Sequence, residues 1–66
     1  MPRSLTSREI MEQPKADGWR EVRRRGSHVQ FRHPTKAGVV TVAHPRKDVP
    51  IGTRRNIERQ AGIRFN

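Results

Sequence analysis

The sequence predicts an α+β domain whose elements follow the order α-β-β-β-α, with a three-stranded antiparallel sheet that carries both helices on one face. Three observations predict it: helix-capping residues near the N-terminus, a central stretch of alternating apolar and polar residues, and apolar residues at helical spacing near the C-terminus. Such a sheet buries one face under helices and leaves the other in water. With 66 residues, no cysteine and 30% apolar residues, we expect one domain over 1–66, with a thin core and about residues 1–5 flexible.

The first helix is predicted from about Ser7 to about Ala16. Thr6 and Glu9 have the spacing of a capping box, in which each residue satisfies a free backbone amide of the first turn. Pro14 lacks the amide proton that a helix interior needs. The helix is therefore expected to kink or end near Gln13.

Three short segments are predicted as strands: Trp19–Arg24, His28–Arg32 and Val39–Ala43. Gly26, between the first two, can adopt the positive φ of a tight turn. In the second segment Val29 and Phe31 point to one side and the polar residues to the other. Because the apolar side must face the helices, His28 is expected on the open side of the sheet.

The second helix is predicted from a cap at Thr53 to about Ala61. Ile57 and Ala61 lie four residues apart and so share one face of a helix. Gly62 suits the left-handed conformation that commonly follows the last helical residue.

The charge is strongly unbalanced, with 15 Lys and Arg against six Asp and Glu, a net charge of +9. This favours a polyanionic partner, either a nucleic acid or an acidic protein. The absence of cysteine excludes thiol catalysis and cysteine-ligated zinc. No apolar run approaches the ~18 residues of a membrane span, and the N-terminus lacks a signal peptide's apolar stretch. We expect a cytoplasmic protein that has no cofactor and does not bind membranes.

His28 can carry acid–base chemistry. RNA cleavage through its own 2′-hydroxyl needs a base, an acid and cations for the phosphate, and imidazole exchanges protons near neutral pH. Arginine side chains suit phosphate oxygens and stay charged. The candidate RNA-binding residues are Arg23, Arg24, Arg25, Ser27 and Arg32. On spacing alone, a solvated histidine among surface arginines is the commoner explanation, and Ser27 is equally well explained as a small turn residue.

The other two histidines are weaker candidates. His33 lies five residues from His28, which in a strand means about 16 Å and opposite faces. The pair cannot share one phosphate, and the same parity argues against a three-histidine metal site. His44, at the end of the third strand, remains open as a partner or as a structural residue. Trp19 can stack on a base, although so small a domain is expected to need it in the core.

Several motifs together resemble one known family, the HicA toxins of bacterial and archaeal toxin–antitoxin pairs. They are Asp17-Gly18-Trp19, Arg25-Gly26-Ser27-His28, Phe31-Arg32-His33-Pro34-Thr35, Val40-Thr41-Val42, His44-Pro45, Lys47-Asp48, Pro50, Gly52-Thr53 and Gln60-Ala61-Gly62. The resemblance runs from about Ser7 to Phe65. The chain departs from the family at Pro14, where an aliphatic residue is usual, and at Ala43, where a proline is frequent.

The resemblance implies a fold like that of double-stranded-RNA-binding domains. It implies an endoribonuclease that cuts messenger RNA without a metal ion and depends on the histidine of Gly-Ser-His, here His28. It also implies a HicB-like antitoxin that covers the toxin and often carries a DNA-binding part. The toxin alone is expected to be a monomer, and its complex with the antitoxin a hetero-oligomer.

Two alternatives stay open beside the toxin hypothesis. One is a non-catalytic RNA-binding module of the same fold that grips phosphate through Arg54, Arg55 and the loops. The other is an inactive chain that persists as part of a DNA-bound repressor complex.

Overall fold

The computed structural model describes residues 5–65 and has the predicted element order. The elements are α1 (Ser7–Ala16), β1 (Arg20–Arg25), β2 (His28–Arg32), β3 (Val40–Ala43) and α2 (Ile51–Ala61). β1 and β3 each begin one residue later than the sequence indicates. Residues 1–4 of the segment expected to be flexible lie outside the described residues, and Leu5 pairs with Val49 in an isolated antiparallel bridge.

The three strands form one antiparallel sheet in the order β1-β2-β3. β1 and β2 are joined by a two-residue turn, Gly26 and Ser27, which places Arg25 directly opposite His28. Gly26 has φ 57° and Ser27 does not have a positive φ, the combination found in a type II′ turn. The register of β1 on β2 shifts between Glu21 and Arg23, so Val22 is an extra, bulged residue.

Both helices pack on one side of the sheet, as predicted. The buried core consists of Ile10, Met11, Trp19, Val29, Phe31, Val40, Val42, Val49, Ile57 and Ala61. Trp19 is 1% exposed, and its indole Nε1 donates a hydrogen bond to the carbonyl oxygen of Ala61 at 3.2 Å. The prediction that Trp19 belongs to the core is confirmed, and it ties the end of α2 to the start of β1.

The predicted capping box at the start of α1 is present. The amide of Glu9 donates to the Thr6 hydroxyl, and the Glu9 carboxylate accepts from the Thr6 amide. The predicted range Ser7–Ala16 is confirmed, and the helix does not end near Gln13 because it continues through Pro14. Pro14 lies in the last turn, where its ring is buried and its carbonyl accepts a hydrogen bond from the Trp19 amide at 3.0 Å.

α2 begins two residues before the predicted cap, so the assignment of Thr53 as the capping residue is wrong. Pro50 occupies the N-cap position with φ −59° and makes no side-chain hydrogen bond there. Its carbonyl oxygen accepts from the Arg54 amide at 3.0 Å, which closes the first turn. At the other end Gly62 has φ 67°, the left-handed conformation that the sequence predicts.

Candidate nucleic-acid interface

His28 is the first residue of β2 and lies beside the turn that follows β1. Its side chain is exposed, while its neighbour Val29 is 1% exposed, so the two point to opposite sides of the sheet as predicted. Within residues 5–65, His28 has neither a hydrogen-bond partner nor an ion-pair partner. Both of its ring nitrogens therefore remain free for proton exchange with a bound molecule.

The side of the sheet that carries His28 is basic. Cross-strand neighbours share a face, so Arg25 and Ala43 flank His28 on its two sides. We call this surface the open face; its residues are Arg20, Arg23, Arg25, His28, Gln30, Arg32, Thr41 and Ala43. It holds four arginines and no carboxylate. A surface of this kind attracts phosphate groups, and its guanidinium donors can bind phosphate oxygens in pairs.

Arg24 does not belong to the open face. It lies opposite Val29, which points to the helices, and it lines a groove of about 320 Å³ beside α1. The other residues that line this groove are Arg8, Met11, Glu12, Lys15, Glu21, Val29 and His44. Of the five predicted RNA-binding residues, the structure thus brings Arg23, Arg25, Arg32 and Ser27 to the region of His28 and separates Arg24 from it.

Ser27 holds the turn next to His28 in place through its backbone. Its carbonyl oxygen accepts a hydrogen bond from the His44 amide at 2.7 Å, which joins the turn to the end of β3. The residue is exposed, and its hydroxyl makes no hydrogen bond within the described part of the chain. That hydroxyl can therefore donate to a phosphate that approaches the turn.

His44 lies on the helix-covered side and does not join His28. Its Nδ1 is 2.7 Å from the Ser7 hydroxyl, which also accepts a hydrogen bond from the Arg46 amide at 2.8 Å. The hydroxyl and Nδ1 therefore share a hydrogen bond, and the hydroxyl also holds the backbone at Arg46. The contact anchors α1 to the segment after β3, which is a structural role.

His33 is also structural. Its Nδ1 accepts hydrogen bonds from the amides of Thr35 and Lys36, each at 3.1 Å. Its Nε2 therefore carries the proton and donates to the carbonyl oxygen of Asp17 at 2.8 Å. Lys36 in turn donates a hydrogen bond to the Asp17 carboxylate, and this bond lowers the pKa of that carboxyl below its usual 3.8.

Comparison with known proteins identifies the family. The family model described as the HicA toxin of bacterial toxin–antitoxin systems matches residues 7–63. The chain belongs to the HicA toxin family. One chain in a solved structure titled "HicA3 and HicB3 toxin-antitoxin complex" is 29% identical, with a TM-score of 0.82, over 94% of this chain and 100% of that one. The comparison with curated proteins gives no significant match. The predicted family and its fold are confirmed.

The open face of this HicA chain includes two residues, Arg20 and Thr41, that were not among the candidates predicted from the sequence. Arg20 pairs with Arg32 at the end of the sheet farthest from the turn, and Thr41 lies beside Gln30. The sequence does contain a signal that separates the three arginines of β1. A two-residue turn puts Arg25 opposite His28, and the alternation of β2 then puts Arg23 on the open face and Arg24 on the helix-covered face. The position of Arg20 depends on the bulge at Val22, which has no sequence signal.

A second basic surface of the HicA chain lies on α2, on the opposite side of the sheet. Arg55, Glu58, Arg59 and Arg64 line a broad depression of about 800 Å³ there. Arg54 is half-buried, and its Nε atom is buried without a hydrogen-bond partner among residues 5–65. Of the two arginines of the non-catalytic alternative, Arg54 is thus half-buried and Arg55 is exposed, and both lie on α2 and not on the open face.

Residues 5–65 of the HicA chain contain neither a metal-ligand cluster nor a membrane-spanning helix. No three His, Asp or Glu side chains in this part lie together as a metal-ligand set. None of its helices has the length and hydrophobicity needed to cross a membrane.

Proposed function

We propose that this HicA chain is an endoribonuclease that cuts messenger RNA without a metal ion, with His28 as its acid–base residue, in the cytoplasm. The observation that supports this most is the exposed, unbonded imidazole of His28 among four arginines on a face that no helix covers. Family membership adds that the chain acts as the toxin of a toxin–antitoxin pair.

The proposed reaction uses the RNA's own 2′-hydroxyl as the nucleophile. His28 takes the proton of that hydroxyl as its oxygen bonds to the adjacent phosphorus. The bond from phosphorus to the 5′-oxygen breaks, and the proton that His28 accepted returns through solvent to this leaving oxygen. The products are a 2′,3′-cyclic phosphate and a 5′-hydroxyl, and all atoms are accounted for without added water.

The arginines of the open face supply the remaining requirement. Negative charge grows on the phosphate oxygens as the fifth bond to phosphorus forms, and fixed cations stabilise it. Arg25 is the direct cross-strand neighbour of His28, so it is the first candidate for this contact. Arg23 and Arg32 lie further along the same face and are placed to hold neighbouring phosphates.

The proposed partner is an acidic HicB-like antitoxin that covers the open face. The net charge of +9 attracts such a protein over long range. Occupying the surface that RNA needs is the simplest route to inhibition. The toxin alone is proposed to be a monomer and the complex a hetero-oligomer.

The decisive experiment compares His28→Ala with His44→Asn in growth and cleavage assays. Expression of the wild-type chain without antitoxin is expected to arrest growth, with loss of messenger RNA, and the purified chain to release fragments with cyclic phosphate ends. His28→Ala should lower the cleavage rate by about 10²- to 10⁴-fold. His44→Asn removes an imidazole from the other side of the sheet but keeps a polar group that can hydrogen-bond to the Ser7 hydroxyl, so it should remain toxic. A folded His28→Ala chain with full activity would refute the assignment.

The non-catalytic alternative predicts a different pattern. It is favoured by the exposed arginines of α2, which provide a phosphate-binding surface without any imidazole. In that case RNA binding should depend on Arg55 and Arg59, and the purified chain should leave RNA intact. Cleavage that is lost with His28 but kept in Arg55→Gln would exclude this alternative.

A further inference from the structure

The two outer edges of the sheet differ sharply in charge. β1 has four arginines among its six residues and a bulge at Val22, and both features oppose the addition of another strand. The β3 side is neutral: residues 37–45, between Lys36 and Arg46, contain no Lys, Arg, Asp or Glu. This is the longest such run in the chain. β3 itself, Val-Thr-Val-Ala, is rich in the β-branched residues that strands favour.

The backbone of β3 presents hydrogen-bonding groups to the outside. In an antiparallel ladder, residues bond alternately to one side and to the other. The amide of His44 donates to the carbonyl oxygen of Ser27, which lies on the β2 side of β3. By alternation, the backbone groups of Val42 and Val40 also form their hydrogen bonds with β2. Thr41 and Ala43 therefore direct their amides and carbonyls away from β2. Among residues 5–65 these outward groups have no backbone partner.

We propose that the outer edge of β3 binds an extended segment of the antitoxin as a fourth strand. This inference rests on the proposed function and adds how the partner is recognised. Addition of a strand to a free sheet edge is a common mode of peptide binding, in which the main chain supplies affinity. Because strands lie about 4.8 Å apart, the added strand would run about 10 Å from β2, and its side chains would reach over His28.

Charge decides which occupant fits the edge. A second copy of the chain would bring another +9 and would be repelled. An acidic partner is attracted, and the cations Arg46 and Lys47 follow the end of the neutral run, whereas Lys36 before it is paired with Asp17. The matching segment is thus a neutral strand with acidic residues at the end that meets Arg46 and Lys47.

The first test uses two proline variants, one on each outer edge of the sheet. Each removes one backbone amide that points away from the neighbouring strand. Thr41→Pro removes one from β3, and because that amide faces away from β2, the internal ladder stays intact. Glu21→Pro is the matched control on β1, since Glu21 lies opposite Phe31, whose backbone bonds go to β3. With the cognate HicB-like antitoxin, co-expressed from the same operon, Thr41→Pro is expected to weaken binding about tenfold or more and Glu21→Pro to leave it unchanged.

The second test does not depend on the folding of a variant. Amide hydrogen exchange of the wild-type chain is measured alone and with the antitoxin. The amides of Thr41 and Ala43 should exchange quickly in the free chain and slowly in the complex. A complex in which they still exchange quickly would overturn the inference while leaving the proposed function intact.

Two other outcomes would also overturn the inference. Slow exchange of Thr41 and Ala43 in a dimer of the free chain would mean that a second copy occupies the edge. Failure of the antitoxin to form any complex with the wild-type chain would overturn the inference together with the partner in the proposed function. Cleavage by the free chain, measured in parallel, tests the catalytic part separately.

Discussion

The imidazole of His33 lies edge-on to the indole of Trp19, with the ring centroids 5.4 Å apart. His33 also accepts two backbone hydrogen bonds and donates one, so all of its polar capacity is used within the fold. His28, five residues earlier, makes none of these contacts. The two histidines at the two ends of β2 thus differ: the ring nitrogens of His33 are used within the fold, and those of His28 are not.

His33→Ala is expected to lower the free energy of unfolding by about 1–3 kcal/mol, because it removes three hydrogen bonds and the ring contact with Trp19. Thermal unfolding measures the loss. Cleavage per folded molecule should remain near the wild-type value. A variant with unchanged stability and no activity would instead place His33 in the reaction.

Lys36→Met is expected to raise the pKa of the Asp17 carboxyl toward its usual 3.8, since the Lys36 hydrogen bond is the main cause of the lowering. In the wild-type chain the folded state binds this proton less readily than the unfolded state. The bond therefore stabilises the fold above about pH 3.8, and this contribution is lost as the pH falls through the lowered pKa. An NMR titration of the Asp17 carboxyl measures the shift, and equal values in both chains would contradict it.

Arg23→Gln is expected to weaken RNA binding more than Arg24→Gln, although the two arginines are adjacent in sequence. Arg23 lies on the open face and Arg24 beside α1. Loss of one phosphate contact to single-stranded RNA should reduce the slope of log affinity against log salt by about 0.7. Both substitutions remove one positive charge, so Arg24→Gln is the control for the change in net charge. Equal effects of both substitutions would move the RNA path away from the open face.

Cleavage is expected to persist in EDTA and to fade as salt rises. The proposed reaction uses only the imidazole of His28 and the guanidinium groups of the open face, and the latter bind phosphate by displacing counterions. A fluorogenic RNA assay on the purified chain, with and without EDTA, measures both effects. A requirement for Mg²⁺ that survives careful removal of contaminating nucleases would rule out the metal-free route.

The antitoxin is expected to protect His28 from chemical modification. Carbethoxylation of histidine by diethyl pyrocarbonate, followed by mass spectrometry, should label His28 readily in the free chain and poorly in the complex. His33 serves as an internal reference, because both of its ring nitrogens are engaged by other parts of the fold. Labelling of His28 that does not change on complex formation would mean that inhibition acts elsewhere than the open face.

Most of the fold could be predicted from the sequence because local signals agreed with one another. The capping box marks the start of α1, and the alternation around Val29 fixes the buried side of β2. The start of α2 was missed because Thr53 is a good capping residue in general, whereas Pro50 has a fixed φ that already suits the N-cap. The bounds of α1 were predicted correctly, and only the expected break near Gln13 failed, because the burial of the Pro14 ring is a tertiary effect.

The candidate site could be predicted at His28 but only partly around it. Proximity in sequence grouped Arg24 with Arg23 and Arg25, whereas the pleat of the strand separates it from them. The position of His44 depends on a hydrogen bond to Ser7, 37 residues away, and no local pattern encodes it. Contacts of this range are decided by packing.

Val22 makes β1 one residue longer than its pairing with β2 requires. Removing one residue from a strand ordinarily moves every side chain beyond it to the opposite face of the sheet. Here such a change would put Glu21 in the place of Arg20 on the surface proposed to hold RNA. Removal of Val22 alone would leave every other pair opposite its present partner. β1 thus has one position at which a residue can be lost while each charged side chain stays on its present face of the sheet. Length differences among relatives of this chain are expected to fall at that position.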